Sequence, residues 1–338
     1  MRGSYCIHQF VNRIAPKALI LLYHRVSVQA SDPQLLCVTP DNFTEQMQIL
    51  RQHYYPLSLK SLRKRQAFNF WPQRSVVITF DDGYADNFQT ARKILEANDN
   101  PATVFVTSGM VESQKEYWWD ELERIFLSTS TLPAKLEIII NHKEYSWGLE
   151  STTQDCTSLS WNVLKDAPFE SRQQVYLDLM KLLHAMDVPT RESLLIELSA
   201  WAGVDRNQGR QDHLAVNADE LCSLPKNGLL EIGAHTKNHL SLSAIPLAVQ
   251  KDEIYSSKAA LEKILDRPVD SFAYPFGERS DYSQDTVKLV REAGFTSACS
   301  NYPGFVNSLR DPYQLPRYIV RDCDGETFAR QLDEWFNE

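Results

Sequence analysis

The chain has 338 residues, of which 43% are hydrophobic and 23% are charged, a composition that supports a large buried core and excludes a disordered or fibrous protein. Asp and Glu outnumber Lys and Arg by 44 to 35, so the net charge is -9. This balance excludes a general electrostatic attraction to nucleic acid or to an anionic membrane surface.

Short apolar runs alternate with longer amphipathic stretches, which is the pattern of strand and helix units around a mostly parallel sheet. The predicted strands, in chain order, are 18–23, 75–80, 102–106, 229–233, 271–273 and 296–298. The predicted helices are 40–52, 86–97, 247–265 and 283–293, with the basic cluster 60–65 on the solvated face of a further short helix. We therefore predict an α/β fold.

The alternation stops between about Met110 and Asn217. The elements predicted there are a Trp-rich helix at 118–126 and a hairpin at 136–147 with its turn near 141–142. Two more helices are predicted after Pro168 and after Pro189. We interpret this stretch as an insertion in one domain spanning 1–338, placed where it shapes a binding surface. A separate small domain is the alternative. Four aromatic side chains could stack on sugar rings there, although burial in a core is their commoner fate: Trp118, Trp119, Trp147 and Trp161.

The first apolar run, 18–23, is too short to cross a membrane and follows no signal-peptide pattern, so we expect no membrane span and a chain that begins near Met1. The six cysteines include no closely spaced pair. This favours free thiols over a disulfide framework or a thiolate zinc site, and a cytoplasmic location fits best.

Several predicted strands end abruptly in a group that can bind a metal or move a proton. His24 follows the first strand, Asp81 and Asp82 follow the second, and His235 follows the fourth. In α/β sheets and barrels the carboxyl ends of the strands share one face, where active sites assemble. We therefore expect these side chains to converge.

The segment 79–83, TFDDG, places two adjacent carboxylates at the end of a buried strand. Because successive side chains of an extended chain point in different directions, one carboxylate can ligate a metal while the other acts as a base. The alternative is a simple Asp-Asp-Gly turn that caps the next helix.

The segment 235–239, HTKNH, places His235 and His239 four residues apart. On a helical turn, histidines at this spacing share one face and can hold one ion, although a pair of structural histidines is about as common. Two histidines and one aspartate leave a coordination position open for water, which is typical of a catalytic site.

Together these motifs resemble the NodB-homology polysaccharide deacetylases, carbohydrate esterase family four. TFDDG resembles the first motif of that family and HTKNH the second. The supporting matches are YHRV at 23–26, EIGAH at 231–235, FAYPFG at 272–277 and LPR at 315–317. The resemblance covers most of the chain outside the insertion and implies a distorted (β/α) barrel.

The resemblance also implies a set of roles. Asp82, His235 and His239 would hold one divalent metal, usually zinc in the family, Asp81 would be the general base, and a backbone N–H at Phe276 would help bind the oxyanion. Two features of the family pattern are missing. The third motif lacks its Arg, so the role of that Arg is unassigned, and no His follows His239 to serve as the general acid.

A circularly permuted branch, which includes the poly-N-acetylglucosamine deacetylases, carries the acid His near the N-terminus, and His24 fits that position. A hydrogen-bonded histidine at a strand end is the alternative reading of this residue. Four residues are candidate orienting partners for His24: Arg25, Arg317, Asp322 and Asp324. The function implied is hydrolysis of an N-acetyl group on an amino sugar in a carbohydrate substrate, with oligomeric state unassigned. Hydrolysis of a formyl or other small amide, and a non-catalytic glycan-binding role, are the rivals.

Overall fold

The structure is a computed structural model that describes residues 17–66, 68, 70–149, 153, 159–167, 171–206, 209–225 and 228–338. The expected chain start near Met1, and also Cys6 and Cys156, lie outside these residues. The strands are β1 Ala18–Tyr23, β2 Arg25–Val26, β3 Cys37–Val38, β4 Tyr55–Pro56, β5 Ser75–Phe80, β6 Ala102–Val106, β7 Lys135–Ile140, β8 Lys143–Gly148, β9 Leu230–Ala234, β10 Ser271–Ala273, β11 Ser297–Cys299 and β12 Tyr318–Ile319. The α-helices are α1 Pro40–His53, α2 Leu59–Gln66, α3 Arg92–Ala97, α4 Trp118–Glu123, α5 Arg172–His184, α6 Val188–Ala202, α7 Ala218–Cys222, α8 Leu247–Leu265, α9 Gln284–Glu292 and α10 Gly325–Asn337.

The main sheet is parallel at every strand pair. Within the described ranges it has eight strands in the order β11-β10-β9-β6-β5-β1-β12, with β4 beside the first half of β5. The chain leading into β12 bridges the two edges, since Leu315 pairs with Cys299 and Tyr318 pairs with Leu21. The sheet is therefore curled into a distorted barrel, and the predicted α/β fold is confirmed.

Alternating residues of the inner strands enter two hydrophobic clusters. Leu19 and Leu21 pack with Phe43 and Met47 of α1, whereas Ala18 and Ile20 pack with Leu62 of α2. A strand buried on both faces needs a nearly continuous apolar sequence, as β1 and β5 have. This is why both strands could be predicted from the sequence to their last residue.

The other predicted elements need small corrections. The strands β9 and β11 each begin one residue later than predicted, and the helix expected over 86–97 begins as a π-helical turn, Asn87–Ala91, before α3. Four of the described strands have only two residues, too few to give a hydrophobic period. No helix among the described residues is long and apolar enough to cross a membrane.

The insertion contains the predicted hairpin and helices. The hairpin pairs β7 with β8 in antiparallel register, and Asn141 and His142 have φ of 50° and 65°, the left-handed pair of a tight two-residue turn. The insertion has a hydrophobic cluster of its own, which also includes Tyr84 from the chain before it. Its status as part of one domain stays a prediction.

Candidate active site

The carboxyl ends of the parallel strands surround one cavity of about 570 Å³. All six site residues proposed from the sequence line it: His24, Asp81, Asp82, His235, His239 and Phe276. They come from the ends of β1, β5, β9 and β10, so the expected convergence is observed. The insertion closes one side of the cavity with residues of α4 and α5.

Asp82, His235 and His239 form a buried cluster whose potential ligand atoms all lie within 4.8 Å of one another. The Oδ1 atom of Asp82 lies 3.2 Å from Nε2 of His239 and 3.6 Å from Nε2 of His235. Two buried atoms of the cluster, Oδ1 of Asp82 and Nδ1 of His239, have no hydrogen-bond partner among the described residues. Because orphaned buried polar atoms are costly, this donor set fits a metal ion.

The protonation of this cluster also suits a metal. Burial lowers the pKa of His235, and it lowers that of His239 to about 3, so both imidazoles are neutral as ligation requires. The Nδ1 atom of His235 lies 2.8 Å from the Ala273 carbonyl oxygen, which leaves Nε2 for an ion. Burial raises the pKa of Asp82, and a bound cation would offset that cost.

The prediction that His235 and His239 share a helical turn is wrong. Residues 235–239 form an irregular loop in which Thr236 and His239 have φ of 59° and 52°. Side chains accept the backbone hydrogen bonds of this loop. The His239 N–H donates to Oγ1 of Thr236. The N–H groups of Lys237 and Asn238 both donate to the carboxylate of Glu253 on α8. The two imidazoles meet because of this loop and not because of helical spacing.

Asp81 is paired with Arg317, a contact that the sequence analysis did not assign. Both terminal nitrogens of Arg317 donate to the carboxylate, at 2.7 and 2.6 Å, and both side chains are buried. Burial alone would raise the pKa of Asp81, but the Arg317 charge and hydrogen bonds lower it to about 2. An arginine therefore pairs with Asp81 even though the third motif lacks its Arg. Its signal in the sequence is the LPR segment near the C-terminus.

His24 lies directly after β1, and its carbonyl oxygen accepts a hydrogen bond from the side-chain amide of Asn87. The pKa of His24 is lowered overall, because burial lowers it by more than the charges of Asp82 and Asp81 raise it. None of its four candidate partners fills that role: Arg25 pairs with Asp86, Arg317 with Asp81, Asp322 accepts from Thr39 and Asn42, and Asp324 caps α10.

The loop after β10 presents a free backbone donor. Phe276 and Gly277 have φ of 59° and 73°. The Gly277 N–H donates to the carbonyl oxygen of Pro275. Asn301 donates to the other two carbonyl oxygens of the loop, from Nδ2 to that of Phe276 and from its N–H to that of Gly277. Among the described residues nothing accepts a hydrogen bond from the Phe276 N–H. This arrangement suits the oxyanion role that the resemblance implied for Phe276.

A layer of aromatic rings supports the metal cluster from the insertion side. Tyr117 donates to the carbonyl oxygen of Asp82, and its ring stacks on Trp119 at 4.5 Å. Trp119 donates to Tyr84, which donates to the buried Asp120 carboxyl group. Trp118 and Trp119 are each only 6% exposed, although both border the cavity. Packing is therefore their main role, which agrees with the burial in a core that the sequence analysis gave as their commoner fate.

A curled parallel sheet with an Asp-Asp pair after one strand and a pair of histidines after another agrees with the distorted barrel of the NodB-homology deacetylases that the sequence resembles. Residues 71–129 and 202–298 match the family model described as polysaccharide deacetylase. These two stretches, just under half of the chain, therefore match a polysaccharide deacetylase domain. The match leaves out residues 130–201, which lie inside the insertion.

Solved structures with the same fold include a deacetylase and the protein IcaB. The Streptococcus pyogenes deacetylase PplD, in complex with acetate, is 19% identical with a TM-score of 0.54, and the alignment covers 94% of this chain and 98% of that one. IcaB from Ammonifex degensii is 15% identical with a TM-score of 0.57, covering 96% and 98%.

A curated relative is the poly-beta-1,6-N-acetyl-D-glucosamine N-deacetylase of Escherichia coli K12. It is 33% identical over 82 residues, which are 24% of this chain and 12% of the relative. The matched region is thus a small part of that longer protein.

Proposed function

We propose that this protein is a metal-dependent hydrolase that removes an N-acetyl group from an amino sugar in a glycan or glycan precursor. The observation that carries the proposal is the adjacent pair Asp81 and Asp82 at the cavity floor. Arg317 holds Asp81 ionised, whereas Asp82 faces two neutral imidazoles with an unpaired oxygen. One carboxylate is thus prepared to act on a proton and the other to hold an ion.

Asp82, His235 and His239 are the residues that would hold the metal, for which we propose Zn²⁺. A donor set of two imidazoles and one carboxylate is common at catalytic zinc sites. When bound, such an ion supplies a Lewis acid that activates water and polarises an acetyl carbonyl. The three ligands leave the cavity side of the cluster open to substrate.

Asp81 is the proposed general base. Its pKa of about 2 keeps it ionised at neutral pH, and Arg317 fixes the plane of its carboxylate through two hydrogen bonds. The carboxylate accepts the proton of the attacking water, and the loss of Arg317 would leave that charge buried without a partner.

His24 is the proposed general acid and the Phe276 N–H the proposed oxyanion donor. An amine leaves poorly from a tetrahedral centre unless it is protonated, and an imidazolium can supply that proton. The Phe276 N–H has no competing acceptor in its own loop, so it can donate to the oxygen on which negative charge develops.

The substrate class follows from the relatives. The matched Escherichia coli protein is named for poly-beta-1,6-N-acetyl-D-glucosamine, so oligomers of this sugar are the first substrates to test. The cavity combines polar site residues with apolar walls from Trp118, Leu177 and Met180, as carbohydrate sites commonly do. The cytoplasmic location expected from the sequence stays a prediction.

The test is to incubate the zinc-loaded protein with a panel of N-acetylated glycans and measure acetate and formate separately. We expect acetate release from amino-sugar oligomers, slower by about 10²-fold to 10⁴-fold in the Asp81→Asn variant, which serves as the matched control. Formate release from N-formyl substrates with no acetate would replace the proposal with deformylation. Glycan binding without any hydrolysis would indicate a binding protein.

A further inference from the structure

Helix α5 of the insertion presents one face to the active-site cavity. Leu177, Met180, Lys181 and His184 line the cavity at the spacing i, i+3, i+4 and i+7, which places them on a single stripe of the helix. His184 is the last residue of this helix, and its imidazole contacts the barrel residue Phe276. The sequence analysis gave His184 no role because it follows no strand.

The imidazole of His184 contacts the barrel at two points. Its Nε2 lies 3.3 Å from Oδ1 of Asp281, and its ring centroid lies 4.1 Å from that of Phe276. Asp281 is itself fixed, because it accepts hydrogen bonds from Oγ of Ser241 and from the N–H of Glu278. His184 therefore rests between a rigid carboxylate and the ring of Phe276.

The Phe276 ring contacts two imidazoles. Its centroid lies 4.1 Å from that of His184 and 4.7 Å from that of His239, a residue of the metal cluster. Its backbone has φ of 59°, a conformation that a residue other than glycine keeps only where its surroundings enforce it. The side chain of Asn301 anchors the Phe276 carbonyl oxygen, and the ring contacts supply the remaining constraint.

We infer that His184 is a positioning residue for the Phe276 loop: the insertion, through this imidazole and Asp281, holds the Phe276 N–H toward the carbonyl oxygen of the substrate. The inference rests on the proposed function of this site. It gives the insertion a part in the reaction that the barrel does not supply itself. Because a displacement of about 1 Å at a reacting group can cost on the order of 100-fold in rate, a single ring contact can matter.

The activity test compares His184→Ala with Glu197→Ala, a control at an exposed position of α6 that does not line the cavity. We expect His184→Ala to lower kcat by about 10-fold to 100-fold with little change in KM or bound zinc. The loss is expected to be equal on an amide and on an activated ester, because both pass through an oxyanion. His184→Phe, which keeps a ring against Phe276, is expected to recover part of the rate, and Glu197→Ala to match the parent.

A normal kcat in His184→Ala, a rise in KM alone, or a loss confined to the amide would each overturn the inference. A second readout does not need activity: hydrogen exchange of the 274–279 peptide is expected to be faster in His184→Ala than in the parent or in Glu197→Ala. Unchanged exchange there would also overturn it. If His184→Ala does not fold, Asp281→Asn, which removes the charged partner of His184, takes its place under the same criteria. A parent that hydrolyses nothing on the glycan panel would instead remove the proposed function, and the exchange result would still decide the positioning of the loop.

Discussion

Asp81 and Asp82 are neighbours in sequence and are equally buried, yet their surroundings give them different chemistry. The guanidinium of Arg317 lowers the pKa of Asp81, whereas Asp82 has imidazoles beside it and a raised pKa. The positive φ of Asp82, 69°, turns the chain so that the two carboxylates reach these different partners. A division of labour between the two residues follows from the backbone as much as from the side chains.

This division predicts different effects for the same substitution at the two sites. Asp81→Asn is expected to keep the metal and to lower the hydrolysis rate by about 10²-fold to 10⁴-fold, because the general base is removed. Asp82→Asn is expected to lose the metal as well as activity. Metal content by atomic absorption, measured beside acetate release, checks both. Equal metal loss in the two variants would contradict the division.

The two histidines predict a shared loss. His235→Ala and His239→Ala are each expected to weaken zinc binding by at least about 10-fold to 100-fold. The double variant is expected to retain no zinc after dialysis, because two of the three proposed protein ligands are gone. Competition with a chromogenic chelator measures the affinity. His213→Ala, a histidine outside the cluster, is the control. Parent-like zinc affinity in the double variant would rule out this site.

His24 predicts a dependence on the leaving group. His24→Ala is expected to retain zinc and to slow amide hydrolysis by about 10²-fold to 10⁴-fold, but to slow an activated ester much less, since that leaving group needs little protonation. The ratio of kcat on the two substrates is the measurement. Equal losses on both, or nearly normal amide hydrolysis, would remove His24 from the acid role. The equal losses expected for His184→Ala make the two variants controls for each other.

At the scale of elements, the sequence predicts the strands well and the loops poorly. The strands β1 and β5 are continuous apolar runs, so their ends and the residues that follow are visible without a structure. The conformation of the HTKNH loop depends on Glu253 of α8, and no local sequence pattern predicts that contact. Arg317 was missed as the partner of Asp81 for the same reason, because β12 is two residues long and its neighbours are distant in sequence.

Helix α4 carries a buried carboxyl group that predicts a pH effect on stability. Burial raises the pKa of Asp120 to about 7, although Arg25 and a hydrogen bond from Tyr84 lower it. Between the unfolded pKa and about 7 the folded form keeps a proton that the unfolded form releases, so this group lowers the free energy of unfolding as pH rises.

Asp120→Asn removes this titration while keeping an acceptor for the Tyr84 hydroxyl. We expect the variant to be more stable than the parent at about pH 8, by up to about 4 kcal/mol, and to show a smaller difference at about pH 4. Urea unfolding at both pH values checks the sign. A difference that does not change with pH would contradict a raised pKa.

At the scale of the whole molecule, the insertion is joined to the barrel by buried side chains. Its hydrophobic cluster includes Tyr84 from the loop after β5, and Phe276 of the barrel packs against it. A cluster that crosses the boundary in this way favours one cooperative unit over a separate small domain.

Unfolding measured by two probes tests this. Five of the seven tryptophans lie between residues 110 and 217, so fluorescence reports mainly on the insertion, whereas far-UV circular dichroism also reports on the barrel helices. We expect both probes to give the same urea midpoint. Two separate midpoints would support an independent domain, and the barrel variant Leu50→Ala would then shift only the dichroism midpoint.

The pairing of Asp81 with Arg317 joins positions 236 residues apart in the chain. During translation at about 5 to 20 residues per second, roughly 10 to 50 seconds separate the synthesis of the two residues. All three residues of the metal cluster leave the ribosome before Arg317 does, so a nascent chain can assemble a metal-binding site while its catalytic base still lacks a counter-charge. On the proposed function, the general base gains its counter-charge only after Arg317 has been synthesised.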